Sequence, residues 1–313
     1  MIAVDWGTSS FRAYRLDEAG GIRETRTAPA GILTVAAGGF PATLEAQLGD
    51  WPDDAPIVMS GMIGSRQGWR EAPYVECPTD AAAIARGILR VEWGAGRRAW
   101  IIPGLSCRDA AGIPDVMRGE ETQILGVLAA LPPADAVICL PGTHSKWARV
   151  SDGRILSFAT AMTGEVFAVL RRHSILGRLM PPEAAAEASV DEYWFRAGLR
   201  RAGEAGGLLH HLFGVRSRGL FAEVAEAALA SYLSGILIGR EIADLAPPAS
   251  DGPVHLIGAK DLVQLYALAL GEGGRKVVTL DPDCVAQGIF RLAEHLSREA
   301  PHPTLSPQAG RGL

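Results

Sequence analysis

The sequence predicts an α/β fold built as two similar lobes with a cleft between them. Three observations carry this. A strand–turn–strand unit occurs twice: Ile2-Ala3-Val4-Asp5-Trp6-Gly7-Thr8-Ser9-Ser10 runs into Phe11–Asp17, and about 135 residues later Val137-Ile138-Cys139-Leu140-Pro141-Gly142-Thr143-His144-Ser145 runs into Lys146–Asp152. Laid over each other without gaps, Gly7 meets Gly142, Thr8 meets Thr143, Ser10 meets Ser145, Ala13 meets Ala148 and Asp17 meets Asp152. Each copy then turns again, at Ala19-Gly20-Gly21 and at Asp152-Gly153, into a third strand-like run.

Taken in order, Ile2–Asp5, Phe11–Leu16 and Ile22–Thr27 read as a three-strand meander. Phe40–Leu48 has helical spacing. Pro56–Gly64 is a short buried strand ending in glycines, and Ser65–Val75 is polar and aromatic with no clean period. Trp100–Leu105 reads as one further strand. From Arg118 to Leu131 the pattern is helical, with Ile124, Leu125, Val127, Leu128 and Leu131 on the apolar side. The second meander starts at Val137. Helices follow at Glu165–Leu176, Asp191–Arg201 and Ala222–Leu245. Strand Val254–Ile257 ends at Gly258, helix Leu262–Leu270 follows, then strand Lys276–Leu280 and helix Cys284–Leu296. This gives residues 1–115 as one lobe with a substrate segment, 116–297 as the other with a helical insertion, and 298–313 as a proline-rich disordered tail.

The 313 residues suffice for two well-buried lobes. A formal charge of -5 argues against nucleic acid and leaves small anionic substrates open. No apolar run reaches the roughly 18 residues of a membrane span, and no signal peptide precedes the first strand. Four scattered cysteines without a Cys-x-x-Cys pair point to a reduced, cytoplasmic setting rather than a disulfide framework. The sequence is silent on oligomeric state.

A Gly-Thr-x-Ser turn between strands offers amides and hydroxyls to one point, and glycine lets a bound oxygen approach the backbone. One such loop is an ordinary hairpin; two matched loops suit a polyphosphate gripped from both sides. Asp5 repels bare phosphate, so its presence points to an intervening Mg²⁺. In the second loop Pro141 stands in the place of that acid, and Lys146 is either a phosphate contact or a solvated strand residue. Neither Gly-x-x-x-x-Gly-Lys-[Ser/Thr] nor Gly-x-Gly-x-x-Gly occurs, which excludes the P-loop class and argues against a dinucleotide fold.

Phosphoryl transfer to an alcohol needs an acceptor for the hydroxyl proton. Glu120 and Glu121 open a helix about 20 residues before the second loop. Acids are favoured there by the helix dipole alone, but the placement suits a base. Arg66, Trp69 and Tyr74 fall in one irregular segment and suit a polyhydroxylated acid, or a surface loop anchored by its Trp.

The paired Asp5-x-Gly7-Thr8 and Gly142-Thr143 loops, with the glycine-ended strand at Gly258, resemble the actin/hexokinase/Hsp70 ATPase superfamily. More narrowly, Val4–Ser10, Gly61-Met62-Ile63-Gly64-Ser65-Arg66-Gln67-Gly68-Trp69, Pro73-Tyr74, Pro141–Trp147 and Met162-Thr163-Gly164-Glu165 resemble the 2-dehydro-3-deoxygalactonokinase family. The resemblance implies two ribonuclease-H-like lobes and ATP-dependent phosphorylation of the 6-hydroxyl of 2-dehydro-3-deoxy-D-galactonate. It implies that Gly7, Thr8, Ser9, Ser10, Gly142, Thr143, His144 and Lys146 hold the phosphates, Gly258 lines the adenosine pocket, and Asp5 positions Mg²⁺. Glu121 is the first choice for the base, with Glu120 second; Arg66 meets the sugar-acid carboxylate, with Trp69 and Tyr74 shaping the pocket. A kinase for another sugar acid, a phosphohydrolase of the superfamily and a non-catalytic nucleotide binder are the rival readings.

Overall fold

The computed structural model describes residues 1–52, 54–94, 96–128, 131, 134–182, 190–248 and 252–299. The first sheet contains the antiparallel meander β1 (Ile2–Trp6), β2 (Phe11–Leu16) and β3 (Ile22–Ala28). Strand β4 (Ile57–Ser60) adds parallel to β1, and past it lie β6 (Leu89–Trp93) and β7 (Arg97–Ile101), in the order β3-β2-β1-β4-β7-β6. The second sheet contains β10 (Ala136–Leu140), β11 (Ser145–Ser151), β12 (Arg154–Ala161), β13 (Val254–Leu256) and β14 (Val277–Thr279), in the order β12-β11-β10-β13-β14. Its antiparallel meander and two parallel additions repeat the first five places of the first sheet in both order and direction. A third sheet of β5 (Tyr74–Glu76), β8 (Gly104–Arg108) and β9 (Pro114–Met117) lies between them in sequence.

The helices are α1 (Phe40–Leu48), α2 (Ala81–Arg86), α3 (Glu120–Leu128), α4 (Thr163–His173), α5 (Glu192–Ala202), α6 (Gly207–Leu220), α7 (Leu229–Leu245), α8 (Lys260–Glu272) and α9 (Cys284–Glu299). Two expected elements are bounded differently. The Trp100–Leu105 run is split: β7 ends at Ile101 and β8 begins at Gly104 in another sheet. Pro103 between them has no N–H with which to continue a ladder. The helix expected over Ala222–Leu245 begins only at Leu229, as α7, and α6 before it lies in a stretch for which no helix was expected. Ala222 holds φ +54, which no α-helix accommodates. The tail expected from residue 298 gives its first two residues to α9, and residues 300–313 lie outside the described residues. No helix among the described residues is long and apolar enough to cross a membrane.

Strand alternation decides which way the first loop's acid points. Ile2, Val4 and Trp6 face the core of the first lobe with Phe11, Phe40 and Leu44. Trp6 is fully buried there, donates its indole N–H to the Ala30 carbonyl at 2.8 Å, and meets Phe11 edge-on at 5.0 Å. Ala3, and with it Asp5, lies on the opposite face. That face belongs to a core shared by both lobes, where Ala3 and Val58 pack in one cluster with Ile138, Leu140, Ile257, α3 and α9. Helices α3 and α9 cross so closely that a Cβ on Gly288 would lie 1.8 Å from the Thr122 carbonyl oxygen. The last helix therefore clamps the start of α3 against the first sheet. The same alternation corrects one reading. Counting back from the shared Gly-Thr, Leu140 rather than Pro141 takes the place of Asp5, and it is buried in the shared core.

Candidate functional site

The first loop is a tight hairpin. Gly7 N–H donates to Ser10 O at 2.9 Å, and the following segment braces it from behind, with Ile32 N–H on Gly7 O at 3.0 Å and Leu33 N–H on Thr8 O at 3.3 Å. The side chains of Thr8, Ser9 and Ser10 remain exposed. Directly beneath, Asp5 pairs in register with Arg12 on β2 and with Ser60 on β4. Burial raises the Asp5 carboxyl to about 6; the Arg12 charge opposes this and the Glu120 charge adds to it. Arg12, which the motif reading passed over, is the one cation beside this acid that the hairpin register itself predicts.

Backbones crowd at the base of the site. Gly61 sits at φ +94, where a Cβ would lie 2.8 Å from Trp6 O and 3.2 Å from an Asp5 carboxylate oxygen. Gly119, at φ +111, packs against it, a Cβ there falling 3.3 Å from the Gly61 Cα. Glycine alone accepts both the torsion and the approach. This contact delivers the start of α3 to Asp5.

The two glutamates of α3 diverge. Glu121 is fully buried. One oxygen accepts the Gly119 N–H at 2.6 Å and the other the Ser60 hydroxyl at 3.3 Å. Ser60 also bonds the Thr122 hydroxyl at 3.1 Å, and Thr122 caps back onto Gly119 O at 2.6 Å. Burial first, then the Glu120 charge, lifts the Glu121 carboxyl from its ordinary 4.5 to about 8. Glu120 is only half-buried and accepts the Arg118 N–H at 3.0 Å. Its pKa is raised by burial, against the pull of Lys146 and His144. Glu120 thus feels Asp5 of one lobe and Lys146 and His144 of the other.

This geometry has a consequence for stability. Between about pH 4.5 and 8 the folded chain holds a proton on Glu121 that the unfolded chain releases, so stability falls as pH rises through that window and levels off above it. Glu121→Gln should flatten this part of the profile. Urea unfolding at pH 5, 6, 7 and 8 checks it; an unchanged slope in the variant is the contrary result.

The second loop departs from the first where their sequences agree. Thr143 and His144 are exposed, but Ser145, the counterpart of exposed Ser10, is fully buried. It bonds the Tyr266 hydroxyl at 2.9 Å, and Tyr266 donates to Glu241 at 2.7 Å, which also accepts the Trp147 indole N–H at 2.8 Å. Lys146 is not a solvated strand residue. It is buried, and its Nζ donates to Val116 O and Thr160 Oγ1, both at 2.8 Å, while Thr160 is held by Asp115. His144 pairs with Glu165 in the first turn of α4, whose N–H bonds Thr143 O at 3.0 Å. Gly258 lies beside this loop: a Cβ on it would stand 3.2 Å from Pro141 O. A cavity of about 280 Å³ opens from Gly142 and Gly164 between α7 and α8, walled by Ser234, Leu237, Leu262 and Leu265.

The substrate candidates separate. The Arg66 side chain is 87% exposed and pairs with Glu71 at 3.7 Å. Trp69 packs edge-on against Trp93 at 5.2 Å and anchors its segment to the first lobe's core. Tyr74 alone adjoins the start of α3, its ring 4.4 Å from the guanidinium carbon of Arg118. Ser60, Arg12 and Arg118 were missed as site residues. Of these, Ser60 carried a signal, being the polar end of an otherwise apolar run, and Arg12 carried one in the hairpin register.

Comparisons with known proteins agree with this architecture. A family model described as 2-keto-3-deoxy-galactonokinase matches residues 5–292. A Rhizobium meliloti protein named "Probable 2-dehydro-3-deoxygalactonokinase" is 42% identical over 288 residues, 90% of this chain and 92% of its own. The 2-dehydro-3-deoxygalactonokinase of Escherichia coli is 35% identical, covering 94% of this chain and 97% of that protein. A Sinorhizobium meliloti crystal structure described under the same activity superposes with TM-score 0.86 at 39% identity, over 94% and 98% of the two chains. At 12% identity, the activator of a 2-hydroxyisocaproyl-CoA dehydratase from Clostridium difficile shares the fold, with TM-score 0.51 over 97% of this chain. With a match spanning both Gly-Thr loops and the acids between them, the chain belongs to the 2-keto-3-deoxy-galactonokinase family.

Proposed function

We propose that the chain transfers the γ-phosphoryl group of ATP to the 6-hydroxyl of 2-dehydro-3-deoxy-D-galactonate, a cytoplasmic step of galactonate breakdown. The observation that supports this best is the meeting of both lobes at the start of α3, where Gly119 packs on Gly61 beneath Asp5 and Lys146 donates to Val116 O at 2.8 Å, with the half-buried Glu120 carboxylate between them. A carboxylate so placed stands where groups from both lobes converge.

The nucleoside of ATP is assigned to the largely apolar cavity lined by Gly142 and Gly164, and its phosphates to Thr8, Ser9, Ser10 and Thr143 with the Gly7 and Gly142 backbones. The hard oxygen donors of the Asp5 carboxylate fit Mg²⁺, which takes one or two carboxylates and completes its shell with water and phosphate. Asp5 is the residue that would hold it, and the ion would neutralise charge on the phosphates. Glu120, rather than Glu121, is assigned as the base, because both Glu121 oxygens are engaged and sealed from the cleft. Lys146 then acts on Glu120, favouring its ionised form, rather than on phosphate. Closure of the lobes excludes water from the transfer.

Gly164→Ala tests the nucleotide placement. A Cβ there would fall 2.5 Å from Gly142 O and 2.8 Å from the Thr143 Cα, so the second loop must shift. Overpacking of this kind costs about 1–3 kcal/mol, and the KM for ATP should rise about tenfold while that for the sugar acid stays within a few-fold. Equal rises in both, or in neither, would count against the placement. The reaction itself is tested by ATP turnover against a panel of 2-keto-3-deoxy sugar acids, with the phosphorylated carbon assigned by NMR. Phosphate release that needs no acceptor would favour a phosphohydrolase instead.

A further inference from the structure

We propose that Arg118 is the residue that binds the carboxylate of the sugar-acid substrate. This rests on the kinase reading above and goes beyond it by naming what makes the site one for an acid.

Arg118 ends the segment leading into Gly119 and Glu120 and is only 9% exposed. Its Nη2 donates to Ala72 O at 2.8 Å, its guanidinium lies over the Tyr74 ring, and a Cβ on Gly64 would touch its Nη1 at 2.9 Å. Nε and Nη1 find no acceptor among the described residues. A guanidinium stays charged at any working pH. Burying it with donors unmet costs free energy that a structural pin alone does not recover. The ligand that satisfies it is a planar anion with two oxygens, and a carboxylate has that shape.

Position supports the same occupant. Arg118 and Glu120 are two residues apart, so their Cα atoms are separated by no more than about 7 Å. A six-carbon acid held at one end by Arg118 brings its far hydroxyl toward Glu120. Tyr74, 44% exposed, lies over the guanidinium and brings it to the edge of the surface. Arg66 lacks these properties: it is a surface group already paired with Glu71, and exposed pairs of that kind contribute little.

The test compares the sugar acid with its C1 carboxamide, which has the same shape and no charge, as acceptors for the wild-type chain and for Arg118→Met and Arg118→Lys. Charge-assisted bonds contribute about 1.5–3 kcal/mol, so Arg118→Met should lower kcat/KM for the acid about 100-fold and leave that for the amide within threefold. Arg118→Lys should fall between. Acid and amide falling together, as for a merely structural residue, or an unchanged acid preference, would overturn the assignment. Should Arg118→Met not fold, a crystal of the wild-type chain soaked with the sugar acid decides. The carboxylate on Arg118 Nε or Nη1 supports the proposal, and the carboxylate on Arg66 overturns it. Wild-type chain that does not phosphorylate the acid defeats the kinase reading and this inference together. Wild-type turnover with an unaltered ratio in the variants defeats the inference alone.

Discussion

Asp5→Ala is expected to abolish turnover, with at least a 10³-fold loss at saturating Mg-ATP. The carboxylate sits at the end of β1 on the face turned toward the other lobe, under the exposed hydroxyls of Thr8–Ser10 and beside Glu120. Phosphoryl transfer depends on positioning and on charge neutralisation around the moving group. On the proposed reading, loss of Asp5 removes both, whereas the hydroxyls and loop amides assigned to the nucleotide remain. Metal-free ATP should therefore bind the variant at least as well as wild type, because a negative charge facing the phosphates has gone. Calorimetric titration with and without Mg²⁺, alongside coupled-assay kinetics, separates the two effects. A variant turning over at the wild-type rate would remove Asp5 from the site.

Glu120→Gln should lower kcat by about 10³-fold, within the range that a positioned base contributes, and leave the KM for ATP within a few-fold. The expectation rests on a contrast between neighbours. Glu121 has both oxygens occupied by Ser60 and Gly119 and no exposure; Glu120 is half-open and coupled to charges of both lobes. Glu121→Gln should alter the pH profile of stability far more than kcat. If Glu121→Gln instead abolishes catalysis while Glu120→Gln turns over normally, α3 presents its other face to substrate and the assignment is reversed.

Much of this was legible along the chain. The duplicated hairpins were visible because a tight turn flanked by apolar strands is specified within about ten consecutive residues. The structure places both at the same strand position in sheets of matching order. The Asp5–Arg12 pairing follows from the hairpin register. Less legible were the roles of residues whose motif positions match. Ser10 and Ser145 are equivalent in the repeat, yet one is exposed and the other bonded inside the second lobe to Tyr266, 121 residues away. In the sequence Arg66 draws the carboxylate assignment because it lies among aromatic residues, while Arg118 reads as the first residue of a helical stretch; the burial that sets Arg118 apart comes from a contact with Ala72, 46 residues away. The parallel strands of the third sheet bring Tyr74 beside Gly104, and Arg118 follows directly on β9 at its other edge, which is how the guanidinium comes under the ring.

The sequence by itself determined the two-lobed plan, the pair of phosphate-type loops and the short list of acids between them. Each of these is written in local periodicity and turn chemistry, which act over a few residues. Only the tertiary structure decided which acid is sealed and which is open, which serine is exposed, and which arginine is buried with two donors unmet. Those properties depend on desolvation and on partners drawn from segments 46 to 121 residues apart, and packing alone sets both.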